Sequence, residues 1–147
     1  MMPELDELYQ QVIIDHGRNP CNFQVNENAN AIKEGFNPLC GDRITIYLSH
    51  KNGIIEDISF NGSGCAISIA SASLMTESVK GKSIEVACNL FDGFHQLLTS
   101  GKTEKELGKL TVLRGVNQYP MRVKCATLAW HTFNGALKNA TTIITTE

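Results

Sequence analysis

The sequence predicts an α+β fold in which a small antiparallel sheet packs against several helices. Three observations predict it. Apolar residues recur at helical spacing near the start, at Leu5, Leu8, Tyr9, Val12 and Ile13. Two alternating segments then flank Asn52-Gly53, a dipeptide suited to the tight turn of a hairpin. Beyond Cys65 the pattern is helical only, and strands followed by a run of helices define this class.

The elements follow in order. Residues 5–17 read as an amphipathic helix, ended by Gly17 and Pro20. Residues 18–39, rich in Asn with Gly and Pro, read mainly as loop. Residues 42–50 place Ile44, Ile46 and Leu48 on one face and Arg43, Thr45 and Tyr47 on the other, the alternation of a half-buried strand. Residues 54–60 give a second strand with Ile54, Ile58 and Phe60 inward. Asn61-Gly62-Ser63-Gly64 breaks it, and a helix runs from Cys65 to Val79. Ser83 opens another helix to about Leu98. Thr103-Glu104-Lys105-Glu106 fits a capping box and predicts a further short helix. Pro120 precedes a last long helix over 121–139, and residues 141–147 read as a frayed end.

The chain has 147 residues, 42% apolar and 19% charged, which predicts one globular domain over 1–147. Thirteen Lys and Arg against fifteen Asp and Glu give a net charge of −2, so there is no electrostatic argument for nucleic-acid binding. No apolar run approaches the roughly 18 residues of a membrane span. The acidic opening, Met1 to Glu7, lacks the order of a secretion signal, and a cytoplasmic protein is expected. A monomer is the expected state.

The five cysteines are odd in number and widely spaced, which argues against a disulfide framework. Cys88, mid-helix among apolar residues, reads as a core thiol, and Cys21 as an ordinary loop cysteine. Cys40, Cys65 and Cys125 stand instead at element boundaries. A helix N-terminus favours thiolate over thiol, an effect expected at both Cys65 and Cys125. Gly41 lets the chain bend between Cys40 and Asp42, so a sulfur and a carboxylate can converge from one short segment. Three thiolates and a carboxylate form a four-coordinate set suited to zinc, or to iron in a cluster. Arg122 and Lys124 are close enough in sequence to offset its negative charge. Gly62-Ser63-Gly64 lacks the third glycine of a dinucleotide loop and any Gly-Lys-Ser/Thr. His16, His50, His95 and His131 show no mutual spacing that would make a Cys/His hydrolase.

Several motifs together carry a resemblance. They are Leu8-Tyr9-x-x-Val12-Ile13-x-x-His16-x-x-Asn19-Pro20; Leu39-Cys40-Gly41-Asp42; Gly62-Ser63-Gly64-Cys65-Ala66-Ile67-Ser68 with the small run Ala70 to Ser73; and Arg122-Val123-Lys124-Cys125-Ala126-Thr127-Leu128-Ala129-Trp130. Over about residues 5–140 the chain resembles the U-type iron–sulfur assembly proteins, with a SufE/NifU-like fold, and within them the SufU branch. In the IscU branch a His precedes the third cysteine, where this chain has Lys124. That branch also carries a Leu-Pro-Pro-type motif where this chain has Gly115 to Met121. The 60 positions from Cys65 to Cys125 fit the insertion typical of SufU, around residues 99–118.

The resemblance implies Zn2+ bound by Cys40, Asp42, Cys65 and Cys125. It implies a SufS-type pyridoxal-phosphate cysteine desulfurase as partner, with downstream iron–sulfur assembly proteins beyond it. Cys40 is then the thiolate that accepts persulfide sulfur, freed when a desulfurase histidine takes its place on the zinc. Arg122 steadies the added negative charge. The protein so implied is a sulfurtransferase-like acceptor, not a stand-alone enzyme. Two alternatives use the same residues: a scaffold on which an iron–sulfur cluster is assembled, and a purely structural zinc module.

Overall fold

The computed structural model describes residues 3–138 and 144–145. The elements are α1 (Pro3–Arg18), β1 (Ala31–Asn37), β2 (Asp42–Lys51), β3 (Ile54–Ser63), α2 (Ala66–Val79) and α3 (Ile84–Ser100). A 3-10 helix (Gly108–Gln118), α4 (Pro120–Leu137) and a short β4 (Ile144–Thr145) follow. The sheet order is β3-β2-β1-β4. β1, β2 and β3 form an antiparallel meander, and β4 runs parallel to β1 at its edge, Gly35 opposite Ile144. This is the expected α+β architecture.

The β2–β3 hairpin turns at Asn52 and Gly53, with φ of 54° and 77°. Two successive positive values are what a two-residue hairpin turn demands, and Asn and Gly tolerate them best. Ile44, Ile46 and Leu48 are fully buried on one face of β2. Burial of each such side chain is worth about 1.5–3 kcal/mol. On β3 the expected face is corrected at one position. Ile54 is exposed, and Ile55 takes the buried place with Ile58 and Phe60. A register shift at Ser49/His50 is the reason, since one extra residue turns every side chain beyond it to the opposite face.

β1 corrects the loop reading of residues 18–39. Its inward positions are Ala31, Lys33, Gly35 and Asn37, while Ile32 faces out. The hydropathy pattern is thus inverted, and period-2 alternation gives no signal. Gly35 lets α4 close on the sheet, because a Cβ there would overlap the Thr132 side chain.

α2 is buried nearly all round, from Ser68 through Thr76. It lies against α1, α4, β3 and the 3-10 helix, so its small Ala/Ser run permits close approach on several sides. Ser71 Oγ donates to the Ala126 carbonyl at 2.5 Å and ties α2 to α4 beside Cys125. In α3, Ser83 caps the N-terminus by accepting from Val86 N, and Gly101 ends it in the left-handed region. Phe91 and Phe94 of α3 stack on Trp130 of α4.

Three further expectations are corrected. The capping box at Thr103 starts no helix: its hydroxyl accepts from Lys105 N and donates to Gln96, and helical structure begins only at Gly108, as 3-10. Cys88 is exposed on α3, and Cys21 is half-buried. Within the segment read as frayed, Ile144–Thr145 forms an edge strand; residues 141–143 and 146–147 lie outside the described residues. No helix among the described residues is long and apolar enough to cross a membrane.

Candidate metal centre

The centre forms where β1 hands over to β2. Asn37 and Asp42 are opposed in register, and residues 38–41 make the connection. Gly41 adopts φ +73°, a conformation that glycine takes without strain. The turn puts Cys40 outside, exposed, and Asp42 at the start of β2, fully buried. Cys125 arrives from α4, also buried. One ligand atom each from Cys40, Asp42 and Cys125 lie within 4.8 Å of one another. Cys125 Sγ donates to Cys40 Sγ at 3.3 Å.

A buried carboxylate requires partners. Asp42 Oδ1 accepts from the Cys65 backbone N–H at 2.9 Å, and Oδ2 accepts from Asn37 Nδ2 at 3.3 Å. Gly64 makes this approach possible, because a Cβ there would lie 2.5 Å from Asp42 Oδ1.

Cys65 itself stands slightly apart. It is the N-cap of α2, exposed, with its Sγ accepting from Ser68 N at 3.5 Å. Its sulfur is not part of the three-donor group. Its charge still bears on Cys125, and its backbone anchors Asp42. Arg122, one turn ahead of Cys125 and exposed, stacks its guanidinium over Tyr119, 4.9 Å from the ring centroid. The three donors come together without it.

The helix-dipole expectation for Cys125 is corrected. α4 begins at Pro120, so Cys125 is beyond the first turn, where the dipole's effect has faded. Burial dominates instead. It pushes the thiol far up from its ordinary value, reinforced by hydrogen bonds to Asp42 and Cys40 and by the charges of Cys65 and Asp42. A cation among these donors would reverse that preference.

The donor set fits such a cation. Bond lengths of ~2.3 Å to sulfur and ~2.1 Å to oxygen put the donors of a tetrahedral site roughly 3.5–4 Å apart, close to the spacing found here. Sulfur with one carboxylate suits zinc or iron better than a hard cation. The residue that sequence reasoning missed is Asn37. It contacts two of the three donors, yet its place became visible only once β1 was seen to be a strand ending at Asn37.

A meander sheet backed by helices, with a thiol–carboxylate cluster at one end, defines a small α+β domain built around a candidate metal centre. The chain belongs to the NifU-like N-terminal domain family, whose model matches residues 8–126. It is 44% identical over 128 residues to a Bacillus subtilis (strain 168) protein named zinc-dependent sulfurtransferase SufU, covering 86% of each chain. It is 39% identical over 141 residues to a Streptococcus pyogenes serotype M1 protein named iron–sulfur cluster assembly scaffold protein IscU, covering 95% of this chain and 88% of that one. Among solved structures, a Fervidobacterium islandicum AW-1 protein described as a scaffold candidate for iron–sulfur cluster assembly in the SUF system superposes with a TM-score of 0.83. It shares 36% identity, over 89% of this chain and 97% of that one. The expected resemblance and fold are both borne out.

Proposed function

We propose that this protein is a sulfur acceptor and carrier in iron–sulfur cluster assembly, with Cys40 receiving sulfur from the persulfide of a SufS-type cysteine desulfurase. The observation that carries the reading is the asymmetry of the donor group. Asp42 and Cys125 are buried, while Cys40 is exposed on a four-residue turn, where another protein can reach it. The relative named zinc-dependent sulfurtransferase supports the same chemistry.

Cys40, Asp42, Cys65 and Cys125 would hold Zn2+, the first, second and fourth as the group already assembled and Cys65 from the α2 N-cap beside it. Bound zinc supplies positive charge that keeps the thiols deprotonated. The residues of the chain do the rest. The Cys40 thiolate attacks the terminal sulfur of the donor persulfide. A new S–S bond forms on Cys40, the donor's S–S bond breaks, and the desulfurase cysteine leaves as thiolate. No net oxidation occurs, because the sulfane sulfur passes from one thiol to another. Arg122, at the exposed start of α4 and three residues before Cys125 in the chain, is the cation proposed to meet the added negative charge. The chain acts on sulfur delivered by its partner and is not a stand-alone enzyme.

The test is desulfurase turnover, read as alanine formed from cysteine. The wild-type protein is expected to accelerate it and Cys40→Ser to abolish the acceleration; an unimpaired Cys40→Ser protein overturns the assignment. A second reading, assembly of an iron–sulfur cluster as cargo on the same donors, is favoured by the relative named as a scaffold. Anaerobic reconstitution with iron and sulfide should then yield a coloured cluster that transfers to an apo-acceptor.

A further inference from the structure

We propose that Asn37 is the positioning residue of the centre. Within the assembled group of Cys40, Asp42 and Cys125, it fixes the two buried donors and leaves the exposed Cys40 free to depart. This rests on the sulfur-acceptor reading for its purpose, though not for its geometry.

The side chain of Asn37 is fully buried and fully used. Nδ2 donates to Asp42 Oδ2 at 3.3 Å and to Cys125 Sγ at 3.6 Å. Oδ1 accepts from Leu39 N at 3.2 Å. The backbone carbonyl accepts from Gly41 N at 2.8 Å. Asn37 therefore touches both buried donors and both chain neighbours of the exposed one. Cys40 itself is held differently. Its backbone is bracketed by the anchored Leu39 and Gly41, while its sulfur meets Cys125 from the exposed side of the turn. Backbone and side chain are thus decoupled at this one residue: the turn is fastened, and the sulfur can swing.

Only a primary amide supplies these contacts from this place. Its two N–H bonds reach a carboxylate and a sulfur, and its oxygen serves the turn. Aspartate would match the shape but add a negative charge beside two sulfurs and a carboxylate. Serine is too short to reach both donors. The amide also orients ligands without adding to the charge of the set, which is the part that partners behind metal ligands commonly play.

The test uses the full chain with Asn37→Asp, which keeps the size and the acceptor for Leu39, and Asn37→Ser, which is smaller and uncharged. If one fails to fold, the other carries the measurement. Zn2+ affinity, by competition with a chromophoric chelator, is expected to fall about 10–100-fold. Co2+ in place of zinc is expected to give an altered visible spectrum. In zinc-loaded wild-type protein a slow alkylating reagent should modify Cys40 well before Cys125, and in the variants this order should be lost. A residue that merely supports the fold would lower the melting midpoint and leave the cobalt spectrum and the alkylation order as they were; that result overturns the proposal. So does a wild-type protein whose two cysteines react together. If Cys40→Ser still stimulates the desulfurase while the Asn37 variants behave as expected, the sulfur-acceptor reading falls and the positioning role stands.

Discussion

The Sγ atoms of Cys125 and Cys40 lie 3.3 Å apart, although 85 residues separate them in the chain. Beside them is the buried carboxylate of Asp42. Burial first, and then its acidic neighbours, push the Cys125 thiol up, and three such groups this close cannot all ionise without a counter-charge. The fold assembles a set of donors that is frustrated until a cation joins it.

Metal should therefore stabilise the domain. Zn2+ at a hundredfold its dissociation constant contributes ~2.7 kcal/mol, which in a domain of this size raises the melting midpoint by roughly 5–10 °C. Calorimetry of metal-free protein, with and without added Zn2+, checks this. Cys125→Ser should abolish most of the gain, and a midpoint indifferent to zinc would contradict the donor assignment.

Gly64→Ala tests the packing behind Asp42. The new Cβ would lie 2.5 Å from Asp42 Oδ1 and 3.1 Å from its Cβ, so the carboxylate must move. Overpacking of this kind costs about 1–3 kcal/mol. The expected outcome is a folded protein with reduced stability and a disproportionate loss of zinc affinity, measured by denaturant titration beside chelator competition. Wild-type affinity in this variant would show that Asp42 is not needed where it stands.

Acid sensitivity should arise at a second place, far from the centre in character. His131 packs edge-on against Phe91, with His95 6.2 Å away between ring centroids. Burial first, then the charge of His95, holds its pKa below the ordinary 6.5. The unfolded chain then takes up the proton first as pH falls. The contribution of His131 is present above 6.5 and is lost as pH drops from there through the lower, folded-state value. Melting midpoints of metal-free protein should decline over this range, and His131→Phe should flatten that decline. Equal slopes in the two proteins would refute the assignment.

Legibility in the sequence tracked how strongly side-chain chemistry followed burial. β2 was readable because Ile44, Ile46 and Leu48 alternate with polar residues and are all buried. β1 was not, because Lys33, Gly35 and Asn37 face inward while Ile32 faces solvent. The sequence pattern puts Ile54 inside because the extra residue at Glu56, on the same strand, leaves no mark in local hydropathy. Cys40, Asp42 and Cys125 were identified together from boundary positions and a family resemblance, and they converge. The offset of the Cys65 sulfur, and the hub formed by Asn37, are products of tertiary geometry. Nothing local to residue 37 announces that its amide will meet a sulfur 88 residues away.

The central claim is that Cys40 is where sulfur lands. Intact-protein and peptide mass spectrometry after incubation with a SufS-type desulfurase and cysteine measures it directly. A reductant-sensitive gain of one sulfur atom is expected, mapped to Cys40 and absent in Cys40→Ser. A persulfide found on Cys65 or Cys125 in the wild-type protein, or one that persists in Cys40→Ser, would contradict it.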